Sequence, residues 1–253
     1  MFFDLDMIGL QPPSSDLEGF IEQSAKSITS QVPCPFGFYA IAEYSGGAEL
    51  WFHMAVWRSL FGFGPKRKMA VGFTPFHATD TDIFVMIDRF ERSETEPIFT
   101  GRCHGRAGEG VDDPICFQLV DFPNYCDHET PVSAHASIIC LARYAEAFES
   151  SEAFLAAQSA EDKMPPVFFL PVGQLSRETG AETGGPQIAV AMLAGRILGA
   201  VQREGQTPYM QMKVKTLSGA YDVFAGIDTI KGEVRVGGTL RAMGTMFGRL
   251  LPA

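Results

Sequence analysis

The sequence predicts an α+β N-terminal domain, with a mixed and mainly antiparallel sheet, followed by an all-β C-terminal module. Before residue 174, segments with strand and helix patterns alternate without a regular strand–helix–strand rhythm, which is typical of α+β domains. After residue 187, the apolar segments have strand patterns. The polar stretch QLSRETGAETGGPQ, residues 174–187, contains three glycines and one proline and predicts a linker or a long surface loop. The expected domains are therefore residues 1–173 and 188–253.

Composition predicts a globular protein of the cytoplasm. The chain has 253 residues, of which 46% are hydrophobic and 20% charged, and this length allows a large core. No apolar run reaches the roughly 20 residues that span a bilayer, and the start MFFDLD lacks the basic and apolar regions of a signal peptide. The five cysteines are widely spread and include no Cys-x-x-Cys pair. This pattern indicates free thiols in a reducing compartment.

The net charge of −10 is unevenly distributed along the chain. Residues 186–253 contain eight basic and four acidic side chains, whereas residues 1–185 contain 12 basic and 26 acidic ones. Such asymmetry allows two interpretations. Opposite charges help the two parts to dock on each other, or the basic part binds an anionic partner.

The N-terminal elements begin with a helix. Ser15 and Glu18 fit a capping box, and the apolar residues that follow share one helical face: Leu17, Phe20, Ile21 and Ile28. A turn at Ser45-Gly46-Gly47 predicts a hairpin. Further strands are expected in the remaining apolar segments: 38–44, 50–54, 69–76, 83–90, 97–103, 115–120 and 167–170.

One segment of this domain, Val132–Phe148, has an ambiguous pattern. Its alanines favour a helix, whereas the alternation of Ile138, Cys140 and Ala142 favours a strand. We interpret it as a strand. Ser151 then predicts the start of a short helix.

The C-terminal module begins with a long strand over residues 188–203. Gly195 and Gly199 interrupt it at positions where a barrel strand can bend. A polar connector is expected at 231–238, and Gly244 and Gly248 are expected to be bends. Four further strands are predicted: 209–217, 220–230, 239–246 and 247–251.

This order of strands and glycines resembles an OB-fold, a small five-stranded barrel. The resemblance covers residues 188–252 and rests on strand order and glycine placement. An SH3-like small barrel has much the same pattern. The resemblance implies a ligand-binding face on the second and third strands of the module. No family is recognised for residues 1–185.

The alternation within residues 209–215 gives the candidate binding surface. Alternate side chains from Met210 to Val214 are expected inside the barrel, so those between them face outward, as Phe224 does on the next strand. Aromatic rings stack on bases and lysines attract phosphates, although Asp222 lies on the same face and the acidic chain opposes tight binding to nucleic acid. The candidate binding residues are Arg196, Arg203, Tyr209, Gln211, Lys213, Lys215, Phe224 and Arg241.

Motifs for catalysis and cofactors are absent from the sequence. It has no phosphate loop, dinucleotide fingerprint, nucleophile elbow or His-Glu-x-x-His. Cys103-His104 and Cys126-Asp127-His128 offer the ligands that zinc prefers, but adjacent residues of a strand point to opposite faces. The carboxylates of Asp80-Thr81-Asp82 and Asp112-Asp113 are typical of turns. We therefore expect no catalytic residue, metal or cofactor.

An aromatic stretch, Trp51–Trp57, continues to Phe63 and is followed by Lys66-Arg67-Lys68. Core packing is the favoured interpretation, because Trp and Phe bury the largest areas. A subunit interface is the second alternative. Attachment to a membrane surface is the third.

Three functional hypotheses follow. The favoured one is a non-catalytic binding or assembly protein that uses the OB-like module, together with the aromatic stretch, to contact a protein partner or another copy of itself. The alternative is single-stranded nucleic-acid binding through the face of the second and third strands. The third is an enzyme of unrecognised type with a site between the two domains, where pockets often form.

Overall fold

A computed structural model describes residues 5–11, 17–57, 67–93, 98–110, 113–159, 163–172 and 189–252. Within these ranges the protein is mostly β, with two sheets and two short α-helices. The combination of strand and helix agrees with the β-rich, α+β class expected from the sequence. The expected linker at 174–187 lies outside the described residues.

The first sheet has four antiparallel strands in chain order: β1 (Ile28–Cys34), β2 (Gly37–Glu43), β3 (Ala48–Trp57) and β4 (Arg67–His77). Helix α1 (Leu17–Ala25) precedes it and packs Phe20 against Phe73 with ring centroids 5.9 Å apart. The predicted helix and hairpin are confirmed. Ile28 opens β1 and does not extend the helix, and Ser15 lies outside the described residues.

The second sheet has ten strands: β5 (Ile83–Arg92), β6 (Gly101–Ala107), β7 (Asp113–Leu119), β8 (Val132–Phe148), β9 (Phe168–Leu170), β10 (Val190–Arg203), β11 (Tyr209–Lys215), β12 (Ala220–Gly226), β13 (Ile230–Lys231) and β14 (Thr239–Leu250). Val132–Phe148 is a strand, as expected. The short helix that follows is α2 (Ser151–Ala156), but its cap is Ser150, whose hydroxyl accepts the Ala153 N–H at 3.2 Å.

This sheet closes into two rings of five strands that share β8 and β14. The first ring has the order β5-β6-β7-β14-β8, and the second has the order β10-β11-β12-β8-β14. Each ring contains one parallel contact, between β7 and β14 in the first and between β12 and β8 in the second. The other neighbours within the rings are antiparallel. The two rings of strands therefore have the same pattern of pairing. The long strands β8 and β14 belong to both rings, but they take each other's position: β14 follows β7 in the first ring, and β8 follows β12 in the second.

The long strands β8 and β14 belong to both rings because each pairs with the other along one edge. Along the opposite edge, each pairs with one strand of the first ring and one strand of the second. Along that edge, β8 pairs with β5 at residues 132–136 and with β12 at residues 139–141. The second ring is thus not built from residues 188–253 alone, because β8 supplies one of its strands. The ten-stranded sheet takes strands from both sides of residues 174–187.

Residues 239–250 form one continuous strand, so the expected pair of strands at 239–246 and 247–251 is wrong. Gly244 lies at a bulge in the pairing with β8. At Gly248 a β-carbon would collide with the Phe117 ring inside the first ring of strands. Both glycines lie within one continuous strand, where they allow a bulge and a close approach, and they do not end it.

Alternation along β8 divides the interior of the rings from their outer surface. Cys140 and Ala142 point into the core that fills both rings, whereas Ile139 and Leu141 point outward. The four-stranded sheet covers this outer surface and buries Trp51 in the same apolar cluster. None of the helices in the described residues is long and apolar enough to cross a membrane.

Candidate functional site

The candidate surface predicted from the sequence is the outer face of β11 and β12. The predicted alternation is confirmed for Met212 and Val214, which are buried inside the second ring. The expected exposure of Tyr209 and Phe224 is wrong, since both are fully buried. Asp222 on the same face is also buried. These side chains lie on the outer face of β11 and β12, but other parts of the chain cover that face.

His77, at the end of β4, covers the two aromatic rings. Its imidazole stacks on Phe224 with ring centroids 4.2 Å apart, and its Nε2 lies 3.0 Å from the Tyr209 hydroxyl. The N-terminal residues add a second cover. At Gly9, a β-carbon would lie 2.6 Å from the Tyr209 ring, so only a residue without a side chain fits there.

The protonation state of His77 follows from its contacts. Nδ1 lies 2.7 Å from the Ala78 carbonyl oxygen, which can only accept, so Nδ1 carries the hydrogen. Nε2 then accepts the hydrogen bond from the Tyr209 hydroxyl. Burial lowers the pKa of His77, and the nearby Arg203 lowers it further. The imidazole is therefore neutral at neutral pH and acts as a structural contact.

A polar network fastens residues 78–82 to this face. The Asp222 carboxylate accepts hydrogen bonds from the Thr79 hydroxyl, from Thr81 at 2.6 Å and from the Gln211 amide at 3.2 Å. Lys213 forms an ion pair with Asp80 at 2.6 Å. The polar groups of Asp222, Gln211 and Lys213 are therefore already paired within the chain, whereas a ligand on this face would need them. The face is occupied by the protein itself.

The remaining basic residues do not converge on one surface. Arg203 is half-buried and donates to the Gln211 side chain at 3.0 Å. Arg241 pairs with Glu146 on β8 and lies over the Phe148 ring. Arg196 and Lys215 are exposed and lie opposite each other on neighbouring strands. The eight candidate residues are thus divided between covered contacts, a salt bridge and open surface.

The residues considered as metal ligands are separated by the fold. Cys103 points into the core of the first ring, whereas His104 points outward and lies 2.7 Å from Glu91. Cys126 accepts a hydrogen bond from Arg92, and His128 packs against Tyr125. In the part of the chain that the structure describes, no group of three or more His, Cys, Asp or Glu side chains is arranged to hold a metal ion.

The aromatic stretch is divided between core and surface. Trp51 and Phe52 are both buried, Trp51 against Tyr39 and Phe52 against Phe73 on the face that α1 covers. Trp57, at the end of β3, is 54% exposed. The residues that continue the stretch to Phe63 lie outside those described. Core packing is confirmed for the first part of the stretch and does not hold for Trp57.

A further titratable group, which the sequence analysis missed, is Asp121, directly after β7. It is only 5% exposed, and its Oδ1 makes no hydrogen bond to the described residues. Burial raises the pKa of Asp121 to about 6, and the opposing effect of Arg249 is smaller. The only signal in the sequence is a single acidic residue between Val120 and Phe122.

Asp121 lies where the first ring meets the four-stranded sheet. Its neighbour Val120 belongs to the apolar cluster that includes Tyr39 and Trp51. Asp121 is close enough to raise the pKa of Tyr39, whose hydroxyl donates to the Phe99 carbonyl oxygen at 3.0 Å. A buried carboxyl group at such a junction is a candidate for a group kept for function.

Comparisons with known proteins give no relative. No family model, no curated protein and no solved structure matches the chain.

Proposed function

We propose that this chain is a non-catalytic assembly protein of the cytoplasm. Its contact surface, which we call the apolar end, lies at one end of the four-stranded sheet and consists of Phe36, Trp57, Met69 and Val71. The observation that carries the proposal is the 54% exposure of Trp57. Tryptophan is among the residues that contribute most to protein interfaces, and a group of exposed large apolar side chains marks a contact site.

The strand register brings the members of the apolar end together. Met69 lies opposite Ala55, two residues from Trp57 on β3. The Phe36 carbonyl oxygen accepts the Val56 N–H, which places Phe36 at the same end of the sheet. Met69 is 53% exposed and Phe36 is 43% exposed. These side chains offer apolar area that a partner would remove from water.

The partner that fits this surface best is a second copy of the chain. Lys68, next to Met69 on β4, lies over the Phe38 ring at 5.2 Å, which gives the apolar end one basic side chain at its border. A basic group there favours an acidic surface across the contact. The chain itself has a net charge of −10 and supplies such a surface. Salt at high concentration should therefore weaken the assembly.

The two five-stranded rings of the second sheet also support a binding role for the fold. Each ring has five strands, and we infer that both are OB-like barrels, which commonly serve as binding modules. The second ring uses its outer face to hold residues 78–82 of its own chain. Single-stranded nucleic acid has less support, because the covered rings of Tyr209 and Phe224 leave nothing on that face for bases to stack on.

Substitution of the apolar end tests the proposal. Trp57→Ser with Met69→Ser should reduce the mass measured by light scattering to that of one chain, while the native protein gives a larger mass. Leu217→Ser is the matched control, because Leu217 is 61% exposed but lies on the second ring. It should leave the mass unchanged. Equal masses for the native protein and the double variant would refute the proposal.

A further inference from the structure

The contact between the four-stranded sheet and the first ring encloses Asp121. The carboxyl group is almost fully buried, and its Oδ1 has no hydrogen-bond partner among the described residues. An ionised carboxylate with one unsatisfied oxygen is costly in an apolar surrounding, even though the Asp121 backbone amide offsets part of the cost, whereas the protonated form costs much less. The packing of the four-stranded sheet on the first ring is therefore compatible with protonated Asp121 and opposed by ionised Asp121.

Groups from several elements surround Asp121. Those that interact with its charge are Tyr39 on β2, Cys103 on β6, Tyr125 after β7 and Arg249 on β14, while Cys34 on β1 and Cys126 after β7 lie close to Tyr39. Burial raises the pKa of each of these thiols and phenols above its ordinary value. The thiols and phenols remain neutral below pH 8, so Asp121 is the group that changes its charge beside them between pH 5 and 7.5.

Arg249 does not compensate fully for the charge of Asp121. The guanidinium lies over the Trp51 ring at 5.3 Å and also acts on Glu49, where burial raises the pKa and Arg249 opposes only part of that effect. It is exposed on the outer surface, where water weakens its attraction for a buried carboxylate. The burial penalty at Asp121 remains the larger effect.

We propose that Asp121 is a proton-operated latch between the four-stranded sheet and the first ring. When the carboxyl group is protonated, the layers stay packed. When it ionises, β1 and β2 separate from the ring more often and expose Tyr39 and Asp121 to water. The latch does not depend on the proposed assembly function, because it is argued from the contacts of Asp121 and not from the four side chains of the apolar end.

Amide hydrogen exchange of the native chain at several pH values tests the latch. An Asp121 carboxyl with a pKa of about 6 when packed and 3.8 when exposed favours the open state about tenfold more at pH 7.5 than at pH 5. Protection factors in β2, corrected for the intrinsic exchange rate, should fall about tenfold over this range. They should remain below those of β11 at each pH, because β2 opens without global unfolding.

Two variants separate the latch from a general effect of pH. Asp121→Asn should abolish the pH dependence of β2 protection, since no charge can form. Asp127→Asn is the matched control: this nearby carboxylate is exposed and pairs with Arg92 at 3.0 Å, and its loss should leave the dependence intact. The latch is refuted if β2 protection does not change with pH, if it changes equally in Asp121→Asn, or if it equals that of β11.

Discussion

Replacement of Asp121 by asparagine should stabilise the protein at neutral pH. The amide has nearly the shape of the carboxyl group but carries no charge. The pKa of Asp121 is about 6 in the folded protein, against 3.8 for an exposed aspartate. Because the folded state holds the proton more tightly, the free energy of unfolding falls as pH rises from about 4 to about 6. Above both pKa values the difference corresponds to about 3 kcal/mol.

Urea unfolding at pH 4 and pH 7.5 measures this effect. At pH 7.5, Asp121→Asn should have a free energy of unfolding up to about 3 kcal/mol higher than the native chain. At pH 4 the two proteins should be nearly equal, because Asp121 is then protonated in the folded state. Asp127→Asn should differ little from the native chain at either pH, since exposed ion pairs contribute little.

The opposite result would show that the surroundings of Asp121 favour the charged form. If Asp121→Asn is less stable than the native chain at pH 7.5, Arg249 or another donor satisfies the carboxylate. A stabilising substitution would mean that the natural residue weakens the fold. Where such a destabilising residue serves a function, its replacement raises stability at the expense of that function.

Two further predictions concern the fold and the covered face. A fragment of residues 188–253 should show the circular dichroism of an unfolded chain, because β8 supplies a strand between β12 and β14; a folded fragment would contradict the shared-strand arrangement. Fluorescence polarisation with labelled single-stranded DNA at 50 mM salt should show no binding, because Tyr209 and Phe224 are covered. Binding that is lost with Lys213→Glu and Lys215→Glu would restore the nucleic-acid hypothesis.

Local patterns in the sequence predicted the individual elements well. Turn residues predicted the hairpin around residues 45–47, and alternation favoured the strand at Val132–Phe148 over the helix that its alanines suggest. Pairing over long distances was not evident. No local signal indicates that β8 joins strands more than seventy residues later in the chain, because such contacts depend on packing of the whole sheet.

The candidate surface was predicted on the correct side of β11 but in the wrong environment. Alternation gives the direction of Tyr209, and it contains no information on what lies over that side chain. The cover comes from His77 and from residues 5–11, which are far away in sequence. Asp121 was missed for the same reason, since its neighbours Tyr39 on β2 and Arg249 on β14 are distant in sequence.

Sedimentation velocity of the native chain over a range of concentrations tests the proposed assembly most directly. If copies associate through Trp57 and its neighbours, the sedimentation coefficient should rise with concentration, and the rise should weaken in high salt. A coefficient that stays at the value of a single 27.6 kDa chain at all concentrations would contradict self-assembly.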